Sequence, residues 1–166
     1  MNHLWSPWRM SYIQDPKTEN GCVFCEAQKY PDGIENQIVY RGQYAFVILN
    51  RYPYTSGHLM VVLKEHKPDL DDIIPEARAE MMELTARCLQ VLRKVYSPEG
   101  FNIGANLGTA AGAGVPKHLH IHIVPRWAGD TSFMSAVGQT RVLPEDLKDT
   151  YRRIREAWEG LSNVEG

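Results

Sequence analysis

Three cysteines in 166 residues are too few for a secreted disulfide framework, and a reducing cytoplasm is the expected compartment. A surplus of positive charge is also missing: 18 Lys and Arg against 20 Asp and Glu leave a net charge of -2. Without a cationic excess to neutralise a phosphate backbone, no nucleic-acid partner is expected, whereas a small phosphate-bearing ligand stays open. No apolar run approaches the ~20 residues of a membrane span, so no membrane partner is expected. Residues 1–10 carry Arg9 as their one formal charge and lack the apolar core of a signal peptide. Internal repeats, low-complexity tracts and interdomain linkers are absent. So are the G-x-G-x-x-G and G-x-x-x-x-G-K-[ST] phosphate loops, which excludes Rossmann and Walker sites.

The 43% hydrophobic content suits one domain that buries roughly two thirds of its unfolded surface. Residues 1–20, with Trp5, Pro7, Trp8, Tyr12 and Ile13, are too aromatic for a disordered tail and read as an arm; His3 there is a surface or packing residue. Residues 21–143 form the main domain, and 144–166 a C-terminal helix packing on it. Strand-like runs cover 37–40, 44–50, 58–63, 101–107 and 118–125. Ile74, Ala77, Met81, Leu84, Cys88, Val91 or Leu92, and Val95 recur at steps of three and four, an amphipathic helix begun by Pro75 and stopped by Ser97-Pro98. Leu147, Tyr151, Ile154 and Trp158 mark a shorter one. Short strand connections favour hairpins over βαβ crossovers, so the fold class is α+β, a five-stranded antiparallel sheet with one long and one shorter helix.

His118-Leu119-His120-Ile121-His122-Ile123-Val124 alternates imidazole with aliphatic side chains, which on a strand puts three rings on one face. Upstream, Gly108-Thr109-Ala110-Ala111-Gly112-Ala113-Gly114 is a small-residue loop whose amides can approach an anion. An imidazole is largely unprotonated at neutral pH and can attack phosphorus, while a second can hold or deliver the leaving group's proton. Alternation also serves metal binding or a structural role, and spacing leaves all three open.

This stretch resembles the His-φ-His-φ-His-φ-φ signature (φ apolar) of the histidine triad, or HIT, superfamily of nucleotide hydrolases and transferases. The likeness runs from about Cys22 to Phe133 and takes in Leu49-Asn50-Arg51-Tyr52-Pro53, Gly57-His58-Leu59-Met60-Val61, Asn106-Leu107-Gly108 and Pro125-Arg126-Trp127-Ala128-Gly129-Asp130. It is most similar to the Fhit-like branch and to bacterial diadenosine tetraphosphate phosphorylases. The resemblance implies a homodimer of sheets joined edge to edge, cleaving dinucleoside polyphosphates at an α-phosphate through a nucleotidyl-histidine. It implies His120 as nucleophile, His122 on the scissile phosphate and bridging oxygen, and His58 with the backbone near His118 to His120 orienting the nucleophile. Asn50 would hold the ribose, Ile48 and Met60 the base (or ordinary strand core), and Asn106, Gly108, Gly112, Ala113 and Gly114 the phosphates. Fhit-like hydrolases carry a glutamine shortly before the triad. Gly114-Val115-Pro116 stands here instead, leaving the amides of Ala113 or Gly114 to substitute. A phosphorylase using inorganic phosphate, a nucleoside phosphoramidase and a non-catalytic nucleotide binder are the alternatives.

Cys22-Val23-Phe24-Cys25 is compatible with zinc, redox activity or two buried thiols. With His66 and His118 it completes a Cys2His2 donor set for a closed, structural Zn2+ site, an arrangement that many bacterial HIT proteins resemble. His118 is then a tether rather than an acid or base. Cys88 reads as a core hydrophobe, Lys117 as solvated, and Trp127 and Phe133 as packing residues or covers for a second nucleoside.

Overall fold

The computed structural model describes residues 21–130 and 145–162; the arm, His3, Phe133 and the start of the C-terminal segment lie outside them. Among the described residues are strands β1 (Ile38–Arg41), β2 (Ala45–Leu49), β3 (Leu59–Leu63), β4 (Gly100–Gly104) and β5 (His120–Arg126). Three α-helices accompany them: α1 (Val23–Gln28), α2 (Pro75–Tyr96) and α3 (Leu147–Ser162). The strands form one antiparallel sheet in the order β1-β2-β3-β5-β4, as the α+β expectation requires.

Alternation along the strands sorts the core into two layers. Val39, Val47, Leu49, Leu59, Val61, Leu63, Ile121 and Ile123 face α2 and α3, meeting Met81, Leu84, Cys88, Val91, Leu92, Ile154 and Trp158. Full burial of each such side chain contributes roughly 1.5–3 kcal/mol, which makes this the layer that holds the fold. The opposite face is smaller: Ile38, Phe46, Ile48, Met60 and Val62 pack under Phe24 of α1. His120 and His122 rise from that second face, so the imidazoles do not interrupt the main core.

Several element boundaries differ from the sequence expectation. The segment from Val23, with Cys22 as its cap, is a short helix to which the sequence assigned no element, and six residues are too few for periodicity to reveal it. The fourth strand ends at Gly104 instead of 107: Ile103 and Leu107 are both exposed (48% and 39%), so no burial extends the ladder. The fifth begins at His120, because the His118 amide donates to Val115 O (3.4 Å) and the Leu119 amide to Lys67 O (2.7 Å). Ile74 is off the buried stripe: it caps α2 in an extended conformation and is 48% exposed. Helix α2 stops where Ser97 turns left-handed at φ 47° ahead of Pro98.

Candidate active site and metal centre

Register places the candidate residues in rows across the histidine face. Phe46 pairs with Val62, and Val62 with His120; one step on, Ile48 pairs with Met60, Met60 with His122, and His122 with Gly104. Neighbouring strands lie about 4.8 Å apart, so Ile48 stands about 10 Å from His122, the reach of a nucleoside. Ile48 and Met60 are each 7% exposed and share the layer with Phe24, Phe46 and Val62. Asn50 continues the row beyond β2, its amide donating to His58 O at 2.9 Å.

Hydrogen bonds fix the protons of the rings. His120 Nδ1 lies 2.8 Å from His118 O. A carbonyl only accepts, so Nδ1 carries the hydrogen and Nε2 keeps its lone pair. Burial holds the His120 pKa below that of a free imidazole, favouring the neutral ring. On the neighbouring ring the pattern is reversed. The Tyr54 amide donates to His58 Nδ1 (3.1 Å), which puts the hydrogen of a neutral His58 on Nε2. That atom is 2.9 Å from His122 Nδ1, so His122 accepts at Nδ1 and carries its own hydrogen on Nε2. Two adjacent rings, 4.9 Å apart between centroids, thus present one bare nitrogen and one N–H. His58 touches His122 rather than His120. The Asn50 side-chain nitrogen lies 3.4 Å from each His58 ring nitrogen, a longer contact than the Tyr54 amide makes.

Between β4 and β5 the glycine loop leaves the sheet beside His122 and returns at His118. Gly108 (φ 79°) and Gly112 (φ 81°) flank a single 3-10 turn, Thr109–Ala111. The Gly112 amide donates to Thr109 O (2.9 Å) and the Ala113 amide to Gly108 O at a long 3.4 Å. Val115 packs on the Phe24 layer. Asn106 is half-buried, Lys117 exposed, and Gly114 lies on the exposed side of the loop. Beyond β5, Arg126 makes a paired contact with Asp130 (2.6 and 2.7 Å) and donates to Asn102 Oδ1 (2.5 Å). The Trp127 amide donates to Asp130 Oδ2.

Cys22, Cys25, His66 and His118 converge on the far side of the triad, their ligand atoms all within 4.8 Å of one another. His118 Nδ1 is 3.1 Å from Cys22 Sγ and 3.6 Å from Cys25 Sγ, and His66 Nδ1 is 3.4 Å from Cys25 Sγ. Tetrahedral zinc, with bonds of about 2.3 Å to sulfur and about 2.0–2.1 Å to nitrogen, sets such S–N distances near 3.6 Å. The donor set therefore fits a divalent metal. His118 Nε2–H donates to Leu63 O at 2.6 Å, which turns the bare Nδ1 toward the sulfurs, the outer-shell arrangement that metal-bound histidines use. Burial raises the Cys22 pKa, but the His118 imidazole and the amides of Cys25 and Phe24 outweigh it and bring it to about 6. Burial and the neighbouring Cys22 push Cys25 upward. Cys88 is fully buried with its thiol pushed up, an inert core residue.

A family model described as the HIT domain matches residues 32–129. The chain belongs to the HIT family. A Mycobacterium tuberculosis protein named AP-4-A phosphorylase is 39% identical to this HIT chain over 166 residues, spanning 95% of it and 85% of the relative. A Schizosaccharomyces pombe protein named bis(5'-nucleosyl)-tetraphosphatase (asymmetrical) is 35% identical over 104 residues, 63% of this chain and 56% of that one. Among solved structures, a Zn-bound histidine triad family protein from Mycobacterium smegmatis superposes with a TM-score of 0.69 at 33% identity, covering 87% of this chain and 97% of that one.

Three contributors went unrecognised in the sequence. Phe24, between the two cysteines, lays its ring against both His118 (5.3 Å) and His120 (5.0 Å). Leu63 contributes a carbonyl, which no side-chain pattern can reveal. Tyr54 was visible only as the residue next to Leu49-Asn50-Arg51-Tyr52-Pro53.

Proposed function

We propose that this HIT chain is a nucleotidyl hydrolase or transferase that cleaves dinucleoside polyphosphates at an α-phosphate through a covalent nucleotidyl-His120 intermediate. The observation that carries the reading is the pair of opposed tautomers, a bare Nε2 on His120 beside an N–H on His122. The His120 lone pair forms the P–N bond as the bridging P–O bond breaks. The leaving polyphosphate oxygen takes the bonding pair and is stabilised by His122 Nε2–H. His118 O keeps the nucleophile's ring in line, and His58 holds His122. Ile48 and Met60 form the floor for the base, Asn50 contacts the ribose, and Asn106, Gly108, Gly112, Ala113 and Gly114 line the polyphosphate. An acceptor oxygen then forms a new P–O bond as P–N breaks, the bonding pair returning to His120 Nε2 and any proton on the acceptor passing to solvent.

Inorganic phosphate as that acceptor is the second reading. It is favoured by the longer match to the relative named a phosphorylase and by Gly114-Val115-Pro116 in place of a glutamine. Cys22, Cys25, His66 and His118 hold structural Zn2+, which would pin α1 to the start of the histidine segment. The thiols suit a reducing cytoplasm. Edge strand β4, with Ile103 and Asn102 exposed, supports homodimer formation through that edge. Among the described residues no helix is long and apolar enough to cross a membrane.

Incubation with diadenosine tetraphosphate, with and without phosphate, followed by chromatography of the products, tests the reading. ADP formed only when phosphate is present marks phosphorolysis, and AMP plus ATP marks hydrolysis. His120→Ala abolishes turnover with the fold intact; activity above about a tenth of wild type, far more than loss of a covalent nucleophile permits, would sink the assignment.

A further inference from the structure

We propose that Tyr54 is a positioning residue that fixes His122 as a hydrogen-bond donor, acting through His58; the inference rests on the reading of His122 as the leaving-group contact. Only an N–H on His122 Nε2 can stabilise an oxygen that is gaining an electron pair. Which nitrogen of His122 carries the hydrogen is set by His58, and that of His58 by the peptide N–H of Tyr54, 3.1 Å from Nδ1. A backbone amide has no second protonation state, so it imposes one direction on the whole relay: Tyr54 N–H to His58 Nδ1, then His58 Nε2–H to His122 Nδ1 at 2.9 Å.

The Tyr54 ring locates that amide. Its centroid is 4.7 Å from the His58 ring and 6.2 Å from the His122 ring, the latter nearly parallel at 23°. With His58 and His122 5.1 Å apart, the three rings form a compact cluster. Around them the loop is tied down: Thr55 Oγ1 donates to Pro125 O on β5 (2.9 Å), the His58 amide to Thr55 O (3.3 Å), and the Tyr52 amide to Asn50 Oδ1 (2.9 Å). His58 is fully buried, so water does not compete for its ring nitrogens.

The test uses the full chain and a series of aryl esters of AMP graded from p-nitrophenol to unsubstituted phenol. In Tyr54→Ala the relay loses its anchor. The expected loss of kcat/KM grows from about threefold with the best leaving group to about thirtyfold with the poorest, part of the range general acid catalysis supplies. Tyr54→Phe keeps ring and amide and restores the wild-type dependence. Nitrogen-15 imidazole spectra of the unliganded protein show His122 as the Nε2–H tautomer in wild type and Tyr54→Phe, and as a mixture in Tyr54→Ala. The same factor lost on every ester, or an unchanged His122 tautomer in Tyr54→Ala, overturns the proposal. Should Tyr54→Ala fail to fold, Tyr54→Leu keeps the bulk and removes the aromatic ring, with the same two readouts. The spectra need no turnover, so a wild-type protein inert toward all the esters refutes the proposed function while leaving this inference testable.

Discussion

Gly57→Ala isolates the contact that seats the His58 loop on the main core. Gly57 has φ 79°, and a Cβ there would lie 2.8 Å from Tyr96 Cε2 and 3.0 Å from Leu92 Cδ2. Neither neighbour has room to yield. Leu92 is fully buried, and the Tyr96 ring is held by its hydroxyl's hydrogen bond to Glu145 and by the Arg153 guanidinium 4.9 Å above it. The left-handed conformation costs a non-glycine residue about 1 kcal/mol, and overpacking adds about 1–3 kcal/mol. A destabilisation of about 2–4 kcal/mol follows, or a fall in Tm of about 5–15 °C for a chain of this size. Chemical denaturation measures the first and a thermal melt the second. A double-mutant cycle with Tyr96→Ala separates the two contributions: the collision appears as a coupling of about 1–2 kcal/mol, and the backbone penalty remains. Turnover falls further than stability, since the His58 amide to Thr55 O bond lies within the displaced loop. A Gly57→Ala protein within about 0.5 kcal/mol of wild type, the range of unremarkable surface changes, refutes the reasoning.

Cys22→Ser removes about one zinc per chain by elemental analysis and lowers Tm, because a metal present at a thousandfold its Kd contributes about 4 kcal/mol; a metal-free wild type of equal stability excludes the site. Glu145 gives a pH signature. Burial raises its pKa, but the Tyr96 hydroxyl, Arg153 and Thr150 outweigh that and hold it below its ordinary 4.5. A depressed carboxylate stabilises the fold fully above its unfolded pKa, and the benefit disappears as pH falls through the folded value. Glu145→Gln therefore costs about 1 kcal/mol near neutrality and nothing in strong acid, after allowing for the partly exposed Arg153. Denaturation curves of the two proteins across acidic pH check the convergence; a constant gap contradicts it.

How far the chain could be read without its structure varied with the physics of each element. Continuous apolar runs disclosed β2 and β3, which are buried on both faces, and imidazole–aliphatic alternation disclosed β5, because a side chain that switches faces at every residue leaves its burial in the sequence. The α2 stripe was legible for the matching reason at a period of 3.6, except at Ile74, where the cap departs from helical geometry. Boundaries were poorer: nothing in Phe101 to Leu107 signals that pairing stops at Gly104, opposite His122, since that depends on tertiary burial, which Ile103 and Leu107 lack. Helix α1 was hidden by its length, and Phe24 by the cysteines that flank it.

The sequence by itself determined the strand-like runs and the amphipathic helices, because each follows from residue type and short-range periodicity; the Cys2His2 donor set leaned on the family resemblance, and of the three imidazoles expected on one strand His118 lies just before β5. Tertiary structure alone decided what each ring meets. His118, His120 and His122 are the same side chain at equal spacing, and they differ in what they meet: Leu63 O and two thiols, the carbonyl of His118, and His58 backed by the amide of Tyr54. An imidazole's proton goes where its partners send it, and apart from the His118 carbonyl those partners come from β3, the Cys22–Cys25 segment and the loop through His58, far from the triad in the chain.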